Sequence, residues 1–225
     1  PPSTTLREAT ARRRAPLRAE AAGVIGEARP RPRGPPGGGP PPAAPPADSP
    51  AVLLALDAEI EIAGPGGSRR VVPAGEFFFG PFITALQPDE VVTAIRIPPR
   101  QGEDRGWRWG YRYLKMARRA SDFAIVGVAA AVAVDGEGAV ARVGVALNGV
   151  TGAAYRATAV EDVLAGQVPS PELLARAASH AVDGVDVDGN AMTSAEYRAH
   201  LARVYTRRAL EDALARAGAT AAAAD

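Results

Sequence analysis

The residues best suited to chemistry are three adjacent glycines, Gly37-Gly38-Gly39, and a lone lysine, Lys115, among 26 basic side chains. Consecutive glycines let backbone N–H groups approach a phosphate with no Cβ in the way. The spacing is not that of a Rossmann fingerprint, and no Gly-Lys-Ser/Thr ending follows as in a P-loop. Among so many prolines the three also read as plain linker, so both readings stand on the residues alone. Lys115 is marked by its rarity, because arginine serves everywhere else and the two cations differ in hydration and geometry. A solvated surface lysine is the plain alternative. Asp183, Asp186 and Asp188 alternate along a Gly-bearing loop, yet they lack the remaining ligands of an EF-hand. They read as solvated carboxylates, and His180 and His200 as surface residues on the polar flanks of helices.

Composition narrows the field further. With no cysteine, the chain holds no disulfide, thiolate metal site, iron–sulfur cluster or cysteine nucleophile. Two histidines are too few for a histidine-built metal centre, so a metal ligand set is not expected. No residue pattern marks a general acid, base or nucleophile for a substrate. Basic and acidic residues number 26 and 25, for a formal charge of +1, which argues against a nucleic-acid partner. No apolar run approaches the ~18 residues needed to span a bilayer. Redox or hydrolytic chemistry must therefore come from a bound organic cofactor or a partner chain.

These residues must be positioned by three regions. Residues 1–28 carry Leu17, Ala21, Val24 and Ile25 at helical spacing and predict a helix. Ten of the 21 prolines fall in 29–50, which by composition is a polyproline or flexible linker. From Ala51 the sequence reads as globular, starting with a short apolar segment at 51–55. Strands follow at 58–63, 70–72 and 91–97, the first two joined by Gly64-Pro65-Gly66-Gly67. Phe77, Phe78, Phe79 and Phe82 form one aromatic cluster, read as a core anchor. A β-meander is expected from 107–116, from Val126 to Val134 and from Val143 to Leu147, each with period-2 alternation. Helices are expected at 157–164 and 171–182. A last helix should begin at a capping box of Thr193 and Glu196 and run to Ala217. The fold class is α+β: a partial flavin-type subdomain with an antiparallel or mixed sheet, then a small antiparallel sheet with packed helices.

The order of segments resembles the FAD-binding medium subunit of the molybdenum hydroxylases, the family of aerobic carbon monoxide dehydrogenase and xanthine dehydrogenase. Arg31-Pro32-Arg33-Gly34-Pro35-Pro36-Gly37-Gly38-Gly39 resembles its R-N-R-G-T-I-G-G-S/N flavin loop. Ala43 to Ala51, with Asp48, resembles A-D-P-A-S-D-L-P-A. Phe77-Phe78-Phe79-Gly80, Thr84-Ala85-Leu86, Asp89-Glu90 and Ile97-Pro98 resemble F-F-x-G…T-x-L-x-x-x-E…I-P. Lys115, Arg119 and Asp122-Phe123-Ala124 resemble K…R-x-G-D-F-A. Ser194 to Arg198 and Arg207-Arg208-Ala209-Leu210 are similar to the closing helix.

This resemblance covers roughly residues 5–212 and implies FAD as cofactor. It implies a partial FAD-binding domain over 1–100, a C-terminal flavoprotein domain over 106–216 and a tail over 217–225. It also implies a large molybdopterin-binding partner, a small [2Fe-2S] partner and a cytoplasmic setting. Gly37, Gly38 and Gly39 would lie against the pyrophosphate and Asp48 would hydrogen-bond the cofactor. Val92 would flank the flavin ring and Lys115 would stand near the isoalloxazine. Pro35-Pro36 replace the family's Thr-Ile, which removes a hydroxyl and a backbone donor, while Gly39 and Ala44 remove further polar groups. The chain begins at Pro1 and matches the family's later two-thirds, so the other flavin loop is expected to be missing. An alternative is a truncated, non-catalytic homologue that docks without flavin. Isolated residues 1–225 should therefore retain FAD weakly or not at all, as judged by visible absorbance after gel filtration. A stoichiometric flavin spectrum there would contradict this.

Overall fold

The structure, a computed structural model, describes residues 47–119 and 122–219. The helix expected over 1–28 and the glycines Gly37, Gly38 and Gly39 lie outside the described residues. The first element is a helix, α1 (Asp48–Ala55), which starts inside the stretch read as linker. Pro50 is tolerated because the first turn has no intrahelical N–H bond to lose, and Asp48 suits the positive end of the helix. Pro50 and every residue from Ala51 to Ala55 are buried, so no amphipathic stripe advertises the helix.

Strands β1 (Glu59–Ala63), β2 (Arg69–Pro73) and β5 (Val91–Arg96) form an antiparallel sheet in the order β2-β1-β5. Ile60 and Ile62 point to one face and pack with Val72 and Phe77, as the alternation predicts. Between them β3 (Phe78–Gly80) and β4 (Ile83–Thr84) make a small hairpin. The four phenylalanines do not form one core anchor. Phe77 is fully buried with Phe78 edge-on at 5.0 Å, but Phe79 and Phe82 are 65% and 78% exposed. Phe77 precedes β3 and is buried, Phe79 lies on the outward face of β3, and Phe82 sits in the turn between β3 and β4 with φ 61°.

The second sheet is the expected meander: β6 (Arg108–Met116), β7 (Val126–Val134), β8 (Val140–Asn148) and β9 (Tyr155–Arg156), each antiparallel to the next. Val126, Val128, Val132 and Val134 of β7 join Val145 and Leu147 of β8 in the main core. That face is covered by α2 (Thr158–Leu164), α3 (Pro171–Ser179) and α4 (Ala195–Arg216). Helix α3 stops at Ser179, short of Val182, and turns take the chain on. Ser170 caps α3 by accepting from the Leu173 N–H at 3.1 Å, with Pro171 at the first helical position. The cap of α4 is Ser194, accepting from the Tyr197 N–H at 3.2 Å, rather than Thr193. Thr193 is instead held in a backbone bridge with Asn190, which leaves the next residue at the cap.

All nine residues of β7 are buried, which period 2 alone does not require. The intervening Gly127, Ala129, Ala131 and Ala133 face the other side, together with Gly144 and Ala146 of β8. Helix α1 lies there, against β7, β8 and β9. It comes so close that a Cβ on Gly144 would overlap the Ala55 carbonyl oxygen. On the opposite face, Gly110 admits the Ala213 carbonyl of α4 in the same way. Small residues on both faces are therefore the imprint of two close helix backbones.

The C-terminal end of α1 is tied down by charge. Asp57 adopts φ 51°, a left-handed conformation that aspartate tolerates better than most residues. Its carboxylate accepts from Arg142 of β8 at 2.8 Å and from Arg156 of β9. Arg156 also donates through Nε to both oxygens of Glu161, at 2.8 and 3.0 Å, and Glu161 accepts the Val145 N–H at 2.8 Å. Burial would raise the Asp57 pKa, but the hydrogen bonds and charges of Arg142 and Arg156 outweigh it and hold the carboxyl below its ordinary 3.8. A depressed carboxyl contributes stability that is complete above the ordinary value and lost as pH falls through the folded-state value. Asp57→Asn should therefore lower the urea midpoint at about pH 7, and the gap to wild type should narrow at about pH 3. An equal gap at both pH values would refute the assignment.

Candidate functional site

At the N-terminal end of α1, Asp48 meets β6. Its two carboxylate oxygens have different partners: Oδ1 accepts from the Tyr113 hydroxyl at 2.6 Å, and Oδ2 from Lys115 Nζ at 2.9 Å. Tyr113 and Lys115 are two apart on one strand, so they stand on the same face and reach the same carboxylate. The pair is not sealed: the side chains of Lys115 and Asp48 are 20% and 32% exposed.

The register explains the gap that holds this group. Lys115 pairs with Gly127 and Gly127 with Asn148, which lines up the three positions across β6, β7 and β8. A Cβ on Gly127 would overlap both the Tyr113 hydroxyl and the Asn148 amide. Asn148 is fully buried, and its Oδ1 lies 3.2 Å from the Tyr113 oxygen. The phenol has one proton, and Asp48 takes it at the shorter distance. With the Asn148 amide turned so that Nδ2 faces the phenol, the phenolic oxygen accepts, and the otherwise unpartnered Nδ2 gains an acceptor. Burial first, then the neighbouring Asp48 carboxylate, push the Tyr113 pKa well above the ordinary tyrosine value. Tyr113 is thus a neutral donor throughout the physiological range.

Of the residues singled out from sequence, Asp48 and Lys115 are brought together as an ion pair. Val92 is half-buried on β5, packed with Ile60, Ile62, Val72 and Phe77. Tyr113, Gly127 and Asn148 belong to the group and were not anticipated as site residues. The same-face spacing of Tyr113 and Lys115 was the available signal; the placement of Asn148 depends on a three-strand register. His180 donates or accepts only locally, with Nδ1 2.6 Å from Asp183. Among the described residues no His, Cys, Asp or Glu cluster could hold a metal ion, and no helix is long and apolar enough to cross a membrane.

The donor set is suited to a ligand edge that carries both acceptors and donors. Lys115 spends one of its three N–H donors on Asp48, and the Asp48 carboxylate keeps free lone pairs. Both groups retain solvent-facing surface. A flavin ring, whose pyrimidine edge presents carbonyl oxygens and an N–H, fits that chemistry.

The sheets and packed helices make an α+β protein, and its likeness to known proteins places it more narrowly. Residues 2–100 match the FAD binding domain in molybdopterin dehydrogenase, and residues 111–213 the CO dehydrogenase flavoprotein C-terminal domain. The carbon monoxide dehydrogenase medium chain of Hydrogenophaga pseudoflava is 34% identical over 203 residues, 90% of this chain and 68% of that protein. The nicotine 6-hydroxylase medium subunit of Paenarthrobacter nicotinovorans is 32% identical over 89% of this chain and 68% of its own length. Among solved structures, the carbon monoxide dehydrogenase of Hydrogenophaga pseudoflava lacking the Mo-pyranopterin moiety superposes with a TM-score of 0.71 at 32% identity. That match covers 78% of this chain and 58% of the solved one. The chain belongs to the family of FAD-binding medium subunits of the molybdenum hydroxylases. It spans about two thirds of the length of these curated relatives and 58% of that solved chain.

Gly127 is the position on which the group's geometry turns. Gly127→Ala should cost about 1–3 kcal/mol in urea unfolding, since the displaced Tyr113 and Asn148 are both packed and cannot swing away. A neutral substitution would show that the two side chains have room to spare.

Proposed function

We propose that this chain is the flavin-carrying, electron-transferring part of a molybdenum hydroxylase. In this reading, substrate is oxidised at a molybdopterin on a large partner, and electrons cross iron–sulfur clusters on a small partner. They reach the flavin here and leave to an external acceptor. The supporting observation is the Asp48–Lys115 pair at 2.9 Å. Asp48 falls in the segment matching the FAD binding domain and Lys115 in the segment matching the flavoprotein C-terminal domain. This ion pair joins the two matched segments, as those of Asp57 with Arg142 and Arg156 also do, and it offers a polar edge to a shared ligand. The division into a partial FAD-binding domain over 1–100 and a C-terminal domain over 106–216, with a tail over 217–225, belongs to the same proposal.

The roles follow from what each residue can offer. Gly37, Gly38 and Gly39 give backbone donors to the pyrophosphate. Asp48 accepts from the ring edge and Lys115 donates to it. Val92 contributes an apolar flank. Bound FAD supplies reversible one- and two-electron chemistry. The chain's part is to bind and orient it and to set the local charge, with no acid or base for the substrate.

Charge makes the reading testable. Reduced flavin as an anion is favoured by a nearby cation and disfavoured by a nearby carboxylate. Lys115→Ala should lower the flavin midpoint potential, and Asp48→Asn should raise it. For a two-electron couple ~30 mV corresponds to about 1.4 kcal/mol, so a partly screened charge gives a readable shift. The measurement is a potentiometric titration of flavin-loaded protein, with residues 1–225 joined to a family member's N-terminal flavin-binding segment. Unchanged potentials with full FAD content would remove both residues from the flavin's surroundings.

A further inference from the structure

We infer that Tyr113, braced by Asn148, is a positioning residue that fixes where the Lys115 charge stands. The inference rests on the reading of Asp48 and Lys115 as the flavin-facing pair. An isolated lysine–aspartate contact on a partly exposed strand is loose: the lysine stem has several rotatable bonds, and a carboxylate can offer either oxygen by turning about its own axis. Here that turn is blocked. The Tyr113 hydroxyl holds Oδ1 at 2.6 Å while Lys115 holds Oδ2 at 2.9 Å, so rotation of the carboxylate breaks both bonds at once. Tyr113 is itself fixed, because its ring is packed on the sheet and its oxygen meets the buried Asn148 amide at 3.2 Å. The missing side chain at Gly127 is what lets the phenol and the amide reach each other. The order of support therefore runs from a fully buried residue on β8 outward to the partly exposed ammonium.

The other charges near α1 do not replace this support. Asp57, Arg142 and Arg156 lie at the far end of the helix and are committed to one another. Arg112, the charged neighbour on β6, points to the opposite face and pairs with Asp212 at 2.9 Å. Tyr113 alone among the described side chains shares the Asp48 carboxylate with Lys115.

Because Lys115 is the chain's single lysine, its freedom can be read directly. Amine-directed acylation of residues 1–225, followed by peptide mass spectrometry, reports the rate at that one side chain. Tyr113→Phe keeps the ring and removes only the hydroxyl; Asp48→Asn removes the anchor itself. We expect both variants to label Lys115 at least threefold faster than wild type, with amide exchange across β7 unchanged. A Tyr113→Phe rate equal to wild type overturns the inference, and so does a rise matched by faster exchange in β7, which would mean a loosened domain. The flavin reading fails separately. If residues 1–225 joined to a family member's N-terminal flavin-binding segment label Lys115 as fast with FAD bound as without it, in wild type and Tyr113→Phe alike, the lysine is not at the flavin, whatever Tyr113 does to it.

Discussion

Eight residues of helix carry most of the organisation of this molecule. Helix α1 is pressed onto the central strands so closely that its last carbonyl occupies the space a side chain at Gly144 would need. Both of its ends are fastened to the same sheet by carboxylates, Asp48 to β6 and Asp57 to β8 and β9. A helix with two pinned ends cannot slide along its groove or rotate in it. Everything at its N-terminal end, including the Asp48–Tyr113–Lys115 group, inherits that fixity.

Close approach of a helix to a sheet constrains the strands beneath it. Interiors pack at crystal-like density, so a backbone drawn this near leaves room for methyl groups at most. Hence the alternation in β7 is not apolar against polar but large against small: valines toward α2–α4, glycine and alanine toward α1. The same economy appears at Gly110, where α4 approaches the other face of β6. The two fastening groups differ in kind. The Asp57 cluster is a network of partly exposed arginines and carboxylates, whose value lies in geometry more than in net charge energy. The Asp48 group is smaller and built around one neutral phenol.

Much of the scaffold was legible in the residues. Ile60 and Ile62 against Glu59 and Glu61, the turn at Gly66, the valines of β7 and the stripe of Leu173, Leu174 and Ala177 all state their periods locally. The failures have physical causes. Helix α1 has no polar face, so no period marked it, and the prolines before it drew its first turn into the linker. Phe79 and Phe82 look like Phe77 in sequence, but Phe79 falls on the outward face of β3 and Phe82 in the turn after it. Thr193 and Ser194 are equally good caps, and only the Asn190 bridge decides between them. At the site, Lys115 stood out by its rarity and Asp48 came from a family resemblance. Their partners Tyr113 and Asn148 required knowing that residues 113, 115, 127 and 148 meet across three strands.

That register also gives a reason for the one lysine in a chain that otherwise uses arginine 25 times. An arginine at 115 would present a planar fork, which matches a carboxylate best when it engages both oxygens together. Both Asp48 oxygens would then be engaged by one side chain, and the Tyr113 hydroxyl, 2.6 Å from Oδ1, would share that oxygen with a guanidinium N–H, as the Val145 N–H shares Glu161 with Arg156. A lysine takes one oxygen as a point charge and leaves the other to tyrosine. It also keeps two N–H donors that the Asp48 contact does not use, where a guanidinium locked on the carboxylate would commit more of its donor edge to it. A lysine at 115 thus suits a single carboxylate shared between a buried neutral donor and a partly exposed charged one.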